Sequence, residues 1–115
     1  MKLPHILNRL LGTAAMYDPI DPELYAWAAR HGLQIFTEYK DEEVRSVDVV
    51  GSAGKKCQIW IDHPDKAGTF VVNIWNYKKK RAKRMKQLYA SKTDIRDKLE
   101  EAYKTAQEWL NETGL

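Results

Sequence analysis

Residues 69–77 read TFVVNIWNY, and residues 78–86 read KKKRAKRMK. The first stretch alternates: Phe70, Val72 and Ile74 form one apolar set, and Val71, Asn73, Trp75 and Tyr77 form a mixed set. A period of two in β-branched and aromatic residues is the pattern of a half-buried strand. The second stretch breaks that pattern. Seven of its nine residues are Lys or Arg and none is acidic. The fold reading turns on where this strand finds its neighbours and on what the basic run becomes.

Three further strand-like runs precede it: LQIFTEYK at 33–40, VRSVDVVG at 44–51 and CQIWID at 57–62. Their connections are short and polar: Asp41-Glu42-Glu43, then 52–56, then 63–68. Connections of that length suit an antiparallel meander, since a parallel crossover needs a dozen or more residues. By parity, one face carries Leu33, Ile35, Val47, Val49, Cys57, Ile59, Ile61, Phe70, Val72 and Ile74. A face so apolar must be covered. The other face carries Gln34, Phe36, Glu38, Asp48, Gln58, Trp60, Asp62, Val71, Asn73, Trp75 and Tyr77, polar but studded with aromatics.

Two helices supply the cover. Asp21-Pro22-Glu23 reads as a helix start, with Asp21 as the N-cap and Pro22 at the first position. Leu24, Trp27 and Ala28 form the inward stripe, and Gly32 closes the helix after His31. A second, longer helix is expected over 92–112, where Ile95, Leu99, Ala102, Ala106, Trp109 and Leu110 recur at helical spacing. Ser91-Lys92-Thr93-Asp94 before it resembles a capping box with Asp in place of Glu. Residues 78–90 contain no Gly or Pro and are mostly good helix formers, so a helix or frayed turn is expected over 81–89. The expected fold class is α+β: an N-terminal helix, a four-stranded antiparallel meander, a basic connector and a long C-terminal helix on one sheet face. Burying each large apolar side chain gives about 1.5–3 kcal/mol, so both helices must pack for the core to offset ordering entropy.

The chain has 115 residues, with 43% hydrophobic and 30% charged, which fits one domain spanning 1–115, with 1–20 as an arm or short helix and 21–115 as the core. The single cysteine, Cys57, excludes an intrachain disulfide and a Cys-rich metal site. No apolar run approaches the roughly 20 residues of a membrane helix. Pro4, His5, Asn8 and Arg9 interrupt what would be the apolar region of a signal peptide. A cytoplasmic location is the expectation. The net charge of +3 hides an asymmetry: residues 78–86 supply +7, while the other twelve basic residues face sixteen acidic ones.

Catalytic signatures are weak, and the expectation is a protein that is not an enzyme and needs no cofactor or metal. His5, His31 and His63 lie in separate elements, and Cys57 falls on the inner face, where a structural thiol is expected. Gly51-Ser-Ala-Gly54 joins strand to strand without P-loop spacing and reads as a hairpin turn. The outer face reads as the functional surface. Phe36, Trp60, Trp75 and Tyr77 beside Glu38 and Asp62 suit the Arg and Lys side chains of a protein partner, or self-association as a homodimer. An N-terminal arm folded over the same face would also shelter those rings. The alternative is nucleic-acid binding through Lys78, Lys79, Lys80, Arg81, Lys83, Arg84 and Lys86, whose phosphate contacts would release counterions.

The element order helix, antiparallel sheet, helix resembles the double-stranded-RNA-binding domain. Leu24–Leu33 is similar to that domain's first helix and its exit, and Lys79-Lys80-Arg81-Ala82-Lys83 matches its KKxAK motif by type. The resemblance implies that Lys79, Lys80 and Lys83 reach duplex RNA phosphates. The chain departs from that domain in its four expected strands, in Asn73–Tyr77 where a Gly-rich turn belongs, and in a long helix with no counterpart. The likeness is one of analogy, not membership.

Overall fold

The computed structural model describes residues 14–76 and 84–112. A 3-10 turn at Ala14–Tyr17 leads into helix α1 (Asp21–His31). Five strands follow: β1 (Ile35–Tyr39), β2 (Glu42–Val50), β3 (Lys56–Ile61), β4 (Phe70–Asn76) and β5 (Arg84–Ala90). Helix α2 (Ile95–Leu110) ends the described fold. The sheet order is β1-β2-β3-β4-β5, antiparallel throughout. The α+β class and the meander agree with the sequence reading.

The inner face is the one that parity assigns. Val47, Val49, Cys57, Ile59, Ile61, Phe70, Val72 and Ile74 are buried, with Leu33 and Ile35 partly buried against them. Both helices lie on this face. Leu24, Trp27 and Ala28 of α1 meet Ile95, Leu99, Ala102, Ala106 and Leu110 of α2 in one cluster with the sheet. Tyr17 and Ile20 belong to the same core, and the Tyr17 hydroxyl donates to the Ile61 carbonyl at 2.8 Å.

The fifth strand is a correction. Residues 84–90 pair with β4 from Asn76↔Arg84 to Phe70↔Ala90 and do not form the expected helix. Helix propensity alone points the wrong way here, because Lys, Arg, Met, Gln and Leu are all good helix formers. Two physical terms override it. A helix would stack like charges at three- and four-residue spacing, and β4 would be left with an unpaired edge beside a buried core. As a strand, the segment turns Leu88 and Ala90 into the core and keeps its cations at a sheet edge. Edges rich in Lys and Arg resist pairing with other chains.

Two helix starts also differ from expectation. The N-cap of α1 is Ile20, and Asp21 makes no capping bond because its carboxylate is taken by Arg45. Helix α2 begins at Ile95, after a turn held by the Asp94 carboxylate, which accepts from the Ser91 N–H at 2.6 Å and from the Ser91 hydroxyl at 3.1 Å. That is half of the expected box, one turn early. At the end of α1 the reading holds: Gly32 has φ 65°, and the Leu33 N–H closes onto the Ala28 carbonyl at 2.8 Å.

Candidate functional site

The outer face of the sheet carries an open groove of about 590 Å³. Its aromatic walls are Phe36, Tyr39, Trp60 and Trp75, with Met85 at the β5 end. Glu38, Asp48 and Asp62 supply its charge, and Val44 and Ser46 of β2 form part of its floor. Among the described lining residues none is Lys, Arg or His.

The strand register explains the gathering. Phe36 stands opposite Ser46, Ser46 opposite Trp60, Trp60 opposite Asn73, and Asn73 opposite Gln87. The next row runs Asp48, Gln58, Trp75, Met85. Trp60 and Trp75 therefore sit diagonally on adjacent strands, on the face away from the helices. Asn73 knits the floor. Its amide donates to the Trp60 carbonyl and to the Asp62 carboxylate at 3.1 Å each, and its oxygen accepts from Gln87 at 2.8 Å.

Phe36, Glu38, Trp60, Asp62 and Trp75 thus come together as the sequence reading places them, while Tyr77 lies outside the described residues. Phe36 and Asp48 also border a second depression of about 400 Å³ that reaches His31 and Tyr103. Tyr39 was missed. Parity assigns it to the inner face, but the pairing shifts between Phe36 and Glu38, and the bulge turns Tyr39 toward Trp60. Their rings stand at 85° with centroids 6.0 Å apart. A tight turn follows, with Lys40 and Asp41 at φ 50° and 68°. It brings the Lys40 ammonium to 5.2 Å from the centre of the Tyr39 ring. Met85 was missed because its segment reads as helical.

Among the described residues no group of three or more His, Cys, Asp or Glu is placed to hold a metal ion. His63 packs edge-on against Tyr17 and donates from Nε2 to the Glu43 carbonyl at 3.0 Å. His31 stacks on Tyr103 at 3.9 Å and meets Glu100 at 2.7 Å, tying α1 to α2. Cys57 is fully buried under the Ala106 carbonyl. Ser52–Gly54 form a 3-10 turn between β2 and β3, closed by the Gly51 N–H on the Lys55 carbonyl at 2.7 Å.

A second polar cluster escaped the sequence reading. Arg45, 2% exposed, spans the inner side of β2 and the start of α1. Its Nε and Nη2 donate to the two Asp21 carboxylate oxygens, and Nη1 donates to Glu43 and to the Val44 carbonyl, each at 2.8 Å. The guanidinium also lies 4.7 Å from the centre of the Tyr17 ring. Burial alone would lower the Arg45 pKa, but the hydrogen bonds to Asp21 and Glu43 outweigh it and push it up. Burial pushes the Tyr17 hydroxyl well above the usual tyrosine range, against the opposing pull of Arg45. Arg45 is buried at the centre of this cluster, and Asp21 keeps partial exposure at its rim.

The basic run is divided. Lys78, Lys79, Lys80, Arg81 and Lys83 lie outside the described residues. Arg84 and Lys86 turn toward α2: Arg84 pairs with Glu112 and lies 5.6 Å from the centre of the Trp109 ring, and Lys86 Nζ lies 3.7 Å from Glu101. These two cations stand on the opposite side of the sheet from the groove. No protein-family model, no curated protein and no solved structure matches the chain.

Proposed function

We propose that the protein is a small non-catalytic binding protein, acting in the cytoplasm, that uses the outer sheet face to hold a protein partner or a second copy of itself. One observation carries this reading: four aromatic side chains and a methionine line a single open groove on the face that the helices leave uncovered. Phe36, Tyr39 and Met85 are more than 40% exposed, and clustered exposed aromatics mark contact surfaces far better than scattered ones. Buried aromatic anchors commonly contribute about 2 kcal/mol or more each to an interface. Trp60→Ala combined with Trp75→Ala is therefore expected to weaken self-association or partner binding by about a hundredfold or more. Sedimentation of parent and variant, beside recovery of the parent's partner, checks this. An unchanged sedimentation profile with unchanged recovery, in a variant whose melt remains cooperative, removes the reading.

The alternative, polyanion binding through residues 78–86, rests on charge alone. The ion pairs of Arg84 with Glu112 and of Lys86 with Glu101 lie at the surface, where such pairs are worth about 0–1 kcal/mol each, so a phosphate backbone can recruit these cations. Engaging about five phosphates would give a log–log salt slope of roughly −4 to −5 on duplex DNA. Replacing Lys79, Lys80 and Lys83 with Gln would flatten it by up to about 3. A titration with duplex DNA and duplex RNA at two salt concentrations checks this, and absence of binding by the parent at low salt ends it. Glu38, Asp48 and Asp62 would repel a backbone laid across the groove, which leaves an approach along the β5 edge.

A further inference from the structure

The geometry points to a groove built for one class of occupant: an extended peptide segment of a protein partner, with a Lys or Arg at one end and an apolar side chain about five residues away. This rests on the proposed binding role of the outer face and names what that face selects.

The two ends of the groove differ in chemistry. At the β1–β3 end, Tyr39 and Trp60 stand nearly perpendicular, edge to face, and form a corner. Asp62, two residues along β3 from Trp60, lines the same groove, as do Asp48 and Glu38. A cation in that corner meets the negative face of an aromatic ring and the field of the carboxylates together. The chain's own Lys40 already sets an ammonium against the Tyr39 ring, so the ring's suitability for a cation is displayed in the structure. At the β4–β5 end the walls are Trp75 and Met85, which suit an apolar side chain.

Dimensions fix the spacing. From β1 to β5 the groove crosses four strand intervals, roughly 19 Å at about 4.8 Å each. An extended chain covers that distance in about six residues at roughly 3.3 Å per residue. A small ammonium compound would fill the corner and leave Trp75 and Met85 bare. A polyanion would meet three carboxylates.

The test uses three acetylated hexapeptides with threonine and serine in the middle. The first has lysine first and leucine last; the second has glutamine for the lysine; the third places lysine and leucine side by side. Each is titrated into 15N-labelled full-length protein while the four indole N–H signals are followed. The first peptide is expected to move the Trp60 and Trp75 signals, leave those of Trp27 and Trp109 in place, and bind about tenfold tighter than either control. Asp48→Asn with Asp62→Asn should remove most of that advantage, and so should raised ionic strength. Equal binding of the lysine and glutamine peptides overturns the inference, as does binding unaffected by the Asn changes or by the lysine–leucine spacing. If none of the peptides binds while the Trp60 and Trp75 double substitution still breaks partner or self-association, the inference falls and the interface stands.

Discussion

Replacing Arg45 with leucine is expected to destabilise the protein by about 3–5 kcal/mol, the range for breaking a buried ion pair from one side. The cost does not come from losing an attraction. It comes from what is left behind. Asp21 is half-buried at the start of α1, and Glu43 is 7% exposed on β2. Without the guanidinium, two carboxylates would face the same dry space, and the Val44 carbonyl and the Tyr17 ring would lose their shared partner. The sign of the second half of the experiment matters more. Neutralising all three charges, with Arg45→Leu, Asp21→Asn and Glu43→Gln together, should recover a large part of the loss, because no uncompensated charge then remains. Urea denaturation of the parent, the single and the triple variant reads this directly. A single variant that loses under about 1 kcal/mol would mean that solvent reaches the cluster and screens it.

Arg45 also shows how a fold can be legible while one of its key residues is overlooked. The parity that places Val47 and Val49 on the inner face places Arg45 there too, and a lone Arg in an apolar row demands a partner. Asp21 then stops being a cap and becomes half of a clamp between helix and sheet. The inner-face residues, the Gly32 turn and the helical stripe of α2 were readable because each follows from a period or from one residue's conformational freedom. Tyr39 was not readable, because the break in pairing between Phe36 and Glu38 obeys no period. The β5 segment was not readable either. Only Leu88 and Ala90 are buried, too few for an apolar alternation to stand out against a run of helix formers. Its strand state is imposed by the open edge of β4, a tertiary cause that local propensity does not contain. The groove was therefore half visible: Phe36, Trp60, Trp75, Glu38 and Asp62 follow from strand parity, while the cation corner needs the bulge and the apolar end needs the fifth strand.

Trp27 offers the other large effect, with a twist in its sign. It is fully buried where α1 meets α2, edge-on to Tyr103 at 6.4 Å and to His31 at 6.1 Å. Trp27→Ala should cost about 3–5 kcal/mol, the range for deleting a large ring from a core. Trp27→Phe removes far less. It takes away about two carbons' worth of apolar contact, roughly 1.6 kcal/mol at about 0.8 kcal/mol per buried carbon, plus part of a small cavity. It also removes the indole N–H, which is buried and finds no hydrogen-bond acceptor among the described residues. A buried donor left without a partner costs about 1–3 kcal/mol. The two changes oppose each other at similar size, so Trp27→Phe is expected to lie within about 1 kcal/mol of the parent. Denaturant midpoints at constant m-value separate the cases. A Phe variant that loses about 3 kcal/mol would show that the indole N–H is satisfied in solution, by a water or by the face of a neighbouring ring, and that the α1–α2 contact owes part of its strength to that bond.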